Sequence, residues 1–97
     1  MSPANRYAEA DRRRAILAAL SLAPAYTLSH RALRATVEGV GCAVSLDLIR
    51  AEIAWLDEIG LLDMLELDHV RLTDRGLDIV LGRAQAPGVR RPEPGEL

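Results

Sequence analysis

Residues 45–76 read SLDLIRAEIAWLDEIGLLDMLELDHVRLTDRG, and the fold turns on where the helical period in this stretch gives way. Ser45 is suited to cap a helix, its hydroxyl accepting a bond from one of the first free amides. At about 100° per residue, Leu46, Ile49, Ile53 and Leu56 then share one side, flanked by Leu48, Trp55 and Ile59. Asp47, Arg50, Ala51, Ala54 and Glu58 fall opposite. Gly60 stops the helix. From Leu61 to Leu67, apolar residues mix with Asp63 and Glu66 at strand spacing, Asp68-His69 supplies a tight turn and Val70-Arg71-Leu72 returns, which reads as a β-hairpin. Asp-His is a weaker turn signal than Asn-Gly, which leaves open a loop one or two residues longer. Thr73 then caps a closing helix with Leu77, Val80 and Leu81 on one face and Gly82 past its end.

Working back toward the N-terminus, Ser29 caps a helix running to Gly39 or Val40, on which Leu33, Val37 and Val40 space as i, i+4, i+7. Gly41 suits a left-handed helix end, Cys42-Ala43-Val44 connect to Ser45, and Tyr26-Thr27-Leu28 is a short extended piece. Asn5 to about Ser21 favours helix and Pro24 ends it. The order is helix, strand, helix, helix, hairpin, helix: a mainly α winged helix-turn-helix with a small β-hairpin. The competing arrangement, an all-helical bundle in which 61–67 prolongs the preceding helix, is opposed by Gly60 and the Asp68-His69 break. The domain is expected over 5–83, with a flexible N-terminus at 1–4 and a mobile proline-rich tail at 84–97.

The chain has 97 residues, 49% of them hydrophobic, enough for a single core. Its aromatic residues are two Tyr and one Trp, with no Phe, so Leu, Ile, Val and Ala must fill that core. No run reaches the roughly 20 apolar residues of a membrane span and no leader pattern opens the chain, so a cytoplasmic protein is expected. Cys42 is the single cysteine, which excludes an internal disulfide and any multi-cysteine metal site; a small buried or loop thiol is its simplest reading. The formal charge is −2, unevenly spread: residues 1–44 carry six arginines against Glu9, Asp11 and Glu38, whereas 45–72 carry Arg50 and Arg71 against seven acids. Any basic footprint lies in the first half.

Trp55-Leu56-Asp57-Glu58-Ile59-Gly60-Leu61 running into a hairpin, then Leu72-Thr73-Asp74-Arg75-Gly76, resembles the recognition helix, wing and closing helix of ArsR-like bacterial regulators. Gly82-Arg83 followed by Pro87-Gly88-Val89-Arg90-Arg91-Pro92 is similar to a narrower group, small winged-helix proteins of Mu-like phages and prophages. The resemblance implies a phage winged-helix protein with a regulatory role. Metal sensing is not carried over, because Cys42, His30 and His69 show no paired spacing, and no cofactor is expected. His30, near a helix start, and His69, in a turn, read as solvated residues.

In a helix-turn-helix the second helix enters the major groove of double-stranded DNA while basic side chains elsewhere hold phosphates. The corresponding residues here are Ser45, Asp47, Arg50, Ala51 and Ala54 for the groove, with Arg50 suited to a guanine edge, and Arg31, Arg34, Arg71 and Arg75 for phosphates. Asp47, Glu58, Glu66 and Asp68 oppose such binding. A homodimer through the first helix at Tyr7, Ala15, Leu17 and Ala19 would bring Arg12-Arg13-Arg14 or Arg90-Arg91 onto the duplex; otherwise the arginine run is a solvated face and the wide apolar arc is buried in its own domain. Two functions follow: a DNA-binding transcriptional regulator, or a protein-interaction module with a phage or host partner through the acidic hairpin. Nothing in the sequence spaces a catalytic set, so an enzyme is not expected.

Overall fold

A computed structural model of the chain describes residues 3–92, with side chains from Ala8 onward. Helix α1 (Pro3–Leu22) leads through a 3-10 turn (Pro24–Tyr26) to strand β1 (Thr27–Ser29) and helices α2 (His30–Gly39) and α3 (Leu46–Glu58). Strands β2 (Leu62–Leu65) and β3 (His69–Leu72) form the hairpin, and α4 (Asp74–Val80) closes the domain. The three strands make an antiparallel sheet in the order β1-β3-β2. This is the winged helix-turn-helix order expected from the sequence.

Local chemistry sets the element boundaries. The Ser29, Ser45 and Thr73 hydroxyls accept from the amides of Ala32, Leu48 and Gly76, each at 3.1 Å. Caps of this kind are worth about 1 kcal/mol apiece. Gly60 ends α3 at φ +81°, a conformation a side chain would disfavour. The Thr73 hydroxyl also donates to the Gly60 carbonyl at 2.7 Å, fastening the end of α3 to the start of α4.

The four helices and the hairpin contribute to one core: Ile16, Leu17 and Leu20 from α1, Leu33 and Val37 from α2, Ile49, Ile53 and Leu56 from α3, Leu61, Leu62, Val70 and Leu72 around the hairpin, and Ile79 from α4. This corrects one expected contact residue: Leu17 is fully enclosed in the chain's own core, because α1 is covered on several sides by α2, α4 and β3, whereas Ala19 is 8% exposed at the edge of that core. Ala15 is half-buried against the same core. Tyr7 lies on α1 but its side chain is outside the described residues.

Other expectations shift by a turn or a face. Helix α1 begins at Pro3, ahead of Asn5, since a first-turn proline gives up no helical hydrogen bond; Met1 and Ser2 are outside the described residues. Val40, Leu48 and Leu81 are exposed, and α4 buries Gly76 and Ile79 while Leu77 and Val80 are half-buried. The hairpin loop spans 66–68, one residue longer than a two-residue turn as the weak turn signal left open, but set earlier: Leu67 and Asp68 hold its left-handed positions, at φ +57° and +55°, and His69 joins β3.

The tail is the largest correction. Residues 86–90 fold back on α1 and α3, where Val89 is 8% exposed and joins the core, and the Arg90 amide donates to the Ala10 carbonyl at 3.2 Å. Prolines and glycines exclude a helix or strand there, but lodging one valine side chain requires neither. Residues 93–97 of the expected tail are outside the described residues.

Gly76 is where α4 meets the loop before β2 most closely. A Cβ there would lie 2.0 Å from the Leu61 carbonyl oxygen and 2.6 Å from Leu72 Cδ1, so the helix would have to move. Gly76→Ala is expected to cost about 3 kcal/mol, the upper part of the range for overpacking, measured as a lowered midpoint in urea unfolding followed by circular dichroism.

Candidate functional site

The face expected to meet DNA is built from α3, the start of α2 and the hairpin. Asp47, Arg50, Ala51, Ala54 and Glu58 are all exposed on α3, so the outward side of this helix is the one read from its period. Ser45 is exposed too, but its hydroxyl is committed to capping the helix. Across from α3, the backbone amide of His30 donates to the Asp68 carbonyl at 2.8 Å, which sets the hairpin turn against the start of α2. The wing therefore ends level with α2, with Leu67 at its tip 88% exposed.

Each arginine expected on this face except Arg31 has a polar partner. Arg50 lies 3.3 Å from the Asp68 carboxylate, and Arg71 lies 4.0 Å from Asp63 on the neighbouring strand. Arg34 donates to the Val44 carbonyl and to Glu38, both at 2.9 Å, and so ties α2 to the segment entering α3. Arg75 donates to the Ile59 carbonyl at 3.2 Å, behind the end of α3. Arg31 is exposed, with no ion pair among the described residues. Exposed pairs of this kind are worth about 0–1 kcal/mol, so Arg50 and Arg71 are offset in charge rather than immobilised. The resulting surface has little net positive potential. Leu48, Met64, Leu65 and Leu67 are exposed on α3 and the wing, with Asp47, Glu58, Asp63 and Glu66 among them.

The arginine run of α1 serves a different purpose. Glu52 sits in the core-facing stripe of α3, between Ile49 and Ile53, and is 5% exposed. Its two carboxylate oxygens accept from Arg12 Nε at 3.0 Å and Arg13 Nε at 3.1 Å. The Arg13 guanidinium also lies over the Trp55 ring, 3.8 Å from its centroid, and donates to the Gly88 carbonyl at 3.2 Å. Neither Arg12 nor Arg13 is a solvated side chain available to phosphates. The signal was present in the sequence: a glutamate three residues after Ile49 and four before Leu56 occupies a buried position, and a buried carboxylate needs cationic partners.

His30 is likewise not solvated. It is buried at the α2 start, and its Nδ1 has no hydrogen-bond partner among the described residues. Burial lowers its pKa, Asp68 nearby raises it, and Arg50 and His69 lower it further. His69 Nδ1 is 2.7 Å from the Leu67 carbonyl, which can only accept, so this nitrogen carries the proton and the ring braces the turn. Cys42 is half-buried and packed against the core as a free thiol. Among the described residues no group of three or more His, Cys, Asp and Glu converges as metal ligands, and no helix is long and apolar enough to cross a membrane. On the side of the molecule formed by α1 and α2, a cleft of about 180 Å³ is lined by Ala15, Ala18, Ala19, Leu22, Thr36 and Val40.

The two-helix unit, the outward α3 and the short wing define a winged helix-turn-helix protein. No protein-family model and no solved structure matches the chain. It is similar to "Uncharacterized protein gp26" of Escherichia phage Mu, 40% identical over 65 residues that make up 64% of this chain and 68% of that protein. The chain belongs to the family of that Mu protein, which supports a Mu-like phage origin.

The lowered pKa of His30 has a definite consequence for stability. The folded protein takes up this proton less readily than the unfolded chain, so His30 costs nothing while both are neutral. As pH falls through the ordinary histidine value of 6.5 the unfolded chain is protonated first and stability declines, until the lower folded pKa is reached. Thermal midpoints by circular dichroism are expected to fall between pH 7.5 and pH 5, and to fall less in His30→Leu; equal losses in both proteins would refute the assignment.

Proposed function

We propose that this chain is a winged-helix interaction module of a Mu-like phage, acting in phage DNA transactions by holding a protein partner on its α3 and wing. The observation that carries this reading is the surface itself. Leu48, Met64, Leu65 and Leu67 are exposed beside Asp47, Glu58, Asp63 and Glu66, while Arg50 and Arg71 face acids. Duplex affinity depends on neutralising phosphates with uncompensated cations, and Asp47 and Glu58 on α3 with Asp63 and Glu66 on the wing work against it. Exposed aliphatic side chains ringed by charge are instead the composition of a protein contact.

The second reading is a DNA-binding transcriptional regulator of the ArsR-like kind, using Arg50 for a base edge and Arg31 for phosphate. It is favoured by the outward position of α3 with Ala51 and Ala54 allowing close approach, and by Arg31, exposed and without an ion pair among the described residues.

Fluorescence anisotropy with a labelled duplex at about 50 mM salt separates the two. The protein is expected to give no salt-sensitive binding, and the triple variant Asp47→Asn, Glu58→Gln, Asp68→Asn to gain it. Salt-sensitive binding by the unmodified protein, weakened by Arg31→Ala and Arg50→Ala, would overturn the first reading in favour of the second. In phage-producing cells, a photo-crosslinking residue at Leu67 is expected to trap a protein, and Asp63→Asn with Glu66→Gln to reduce the yield.

A further inference from the structure

Residues 86–90 lie in a groove between α1 and α3 that is built like a peptide site. Its α1 wall offers a backbone acceptor, the Ala10 carbonyl, to the Arg90 amide at 3.2 Å, and a carboxylate, Asp11, to the Arg90 side chain. Arg13 donates to the Gly88 carbonyl at 3.2 Å, and Val89 fills the apolar floor. On the α3 wall, the Trp55 ring lies against Gly88, which stands at φ +90°. A Cβ at that position would come 2.8 Å from Trp55 Cη2 and 2.9 Å from Arg13 Nη1, so glycine is required both by its backbone conformation and by the space. The groove thus reads three successive residues by three different means: absence of a side chain, a small branched apolar group, and a guanidinium.

The occupant is tied down differently from the rest of the fold. Residues 81–85, which lead into it, are all exposed, and Val89 is the buried side chain among residues 81–92. Its other contacts include backbone bonds, half-buried Ala86, the Arg13 bond to the Gly88 carbonyl and the Arg90–Asp11 ion pair, whose side chains are 33% and 50% exposed. Beneath it, Arg12 and Arg13 each donate to Glu52 without help from the segment, so α1 and α3 stay joined when it leaves.

We propose that the α1–α3 groove is a binding site for a Pro-Gly turn that leads into Val-Arg, filled at rest by the chain's own residues 86–90, whose Val89 amide donates to the Ala86 carbonyl at 3.1 Å and which act as a releasable strap. A partner carrying the same pattern displaces the strap and docks on the side of α3 that carries Trp55, independently of the face discussed above. Because the strap is part of the same chain, its effective concentration is high, and a competing segment must bind tightly or in tandem with another contact.

Trp55 is the single tryptophan and reports on the groove. In the full chain, Gly88→Ala is expected to lift the strap, raising the acrylamide quenching of Trp55 by about twofold or more while the helical circular dichroism signal is unchanged. The peptide QAPGVRRP, residues 85–92, added in trans is expected to return quenching to the unmodified level, and its Gly→Ala counterpart to leave it raised. Asp11→Asn is expected to raise quenching in the same sense by loosening the ion pair. Unchanged quenching in Gly88→Ala, or no restoration by the peptide, overturns the proposal. Loss of the helical signal in Gly88→Ala overturns it as well, since the segment would then be an inseparable part of the core.

Discussion

A carboxylate stands where an apolar side chain would be expected in this molecule, and the placement of α1 depends on it. Glu52 occupies the central core-facing position of α3, and both of its oxygens are used by Arg12 and Arg13. Removing one member of such a buried arrangement costs about 3–5 kcal/mol, because the remaining charge stays desolvated. Apolar packing tolerates small rotations and slips of one helix on another. Two guanidinium groups converging on one carboxylate do not, and so they fix which side of α1 faces α3. Trp55 is covered by the Arg13 guanidinium as a consequence, and the Gly88 carbonyl finds its donor on the same side chain.

The same pairing decides how the protein presents its charge. With Arg12 and Arg13 turned inward, the excess of arginine in the first part of the chain does not become a basic surface. What remains outside on α3 and the wing is a mixture of aliphatic and acidic side chains, with Arg50 and Arg71 each beside an acid. Fold and surface chemistry are separate properties, and only the second selects a partner.

The parts of the structure that rest on neighbouring residues were legible in the sequence. Ser29, Ser45 and Thr73 cap their helices, Gly41, Gly60 and Gly82 follow the ends of three of them, and the change of period after Gly60 marks the hairpin. The outward set on α3 was legible for the same reason, since helical period alone orders it. Features that depend on distant partners were not. Glu52 finds its arginines about forty residues away along the chain, and Val89 finds its site between two helices that its own sequence cannot specify. Val40 and Leu48 follow the helical period yet are exposed, because period gives direction and not the width covered by neighbours. The hairpin turn was misplaced by one residue because leucine, at Leu67, takes a left-handed conformation that ordinarily signals glycine or asparagine.

Among the described residues strand β2 has a strand neighbour on one side only, since β3 lies between it and β1. Its outer backbone groups are therefore a template on which another strand can grow, and the exposed Met64, Leu65 and Leu67 make that template more adhesive. When two such edges approach antiparallel, the registers that set Asp63 opposite Asp63, or Asp63 opposite Glu66, bring like charges together and oppose pairing. The carboxylates along the wing thus act against the edge-to-edge growth of crowded copies of the protein into a continuous sheet.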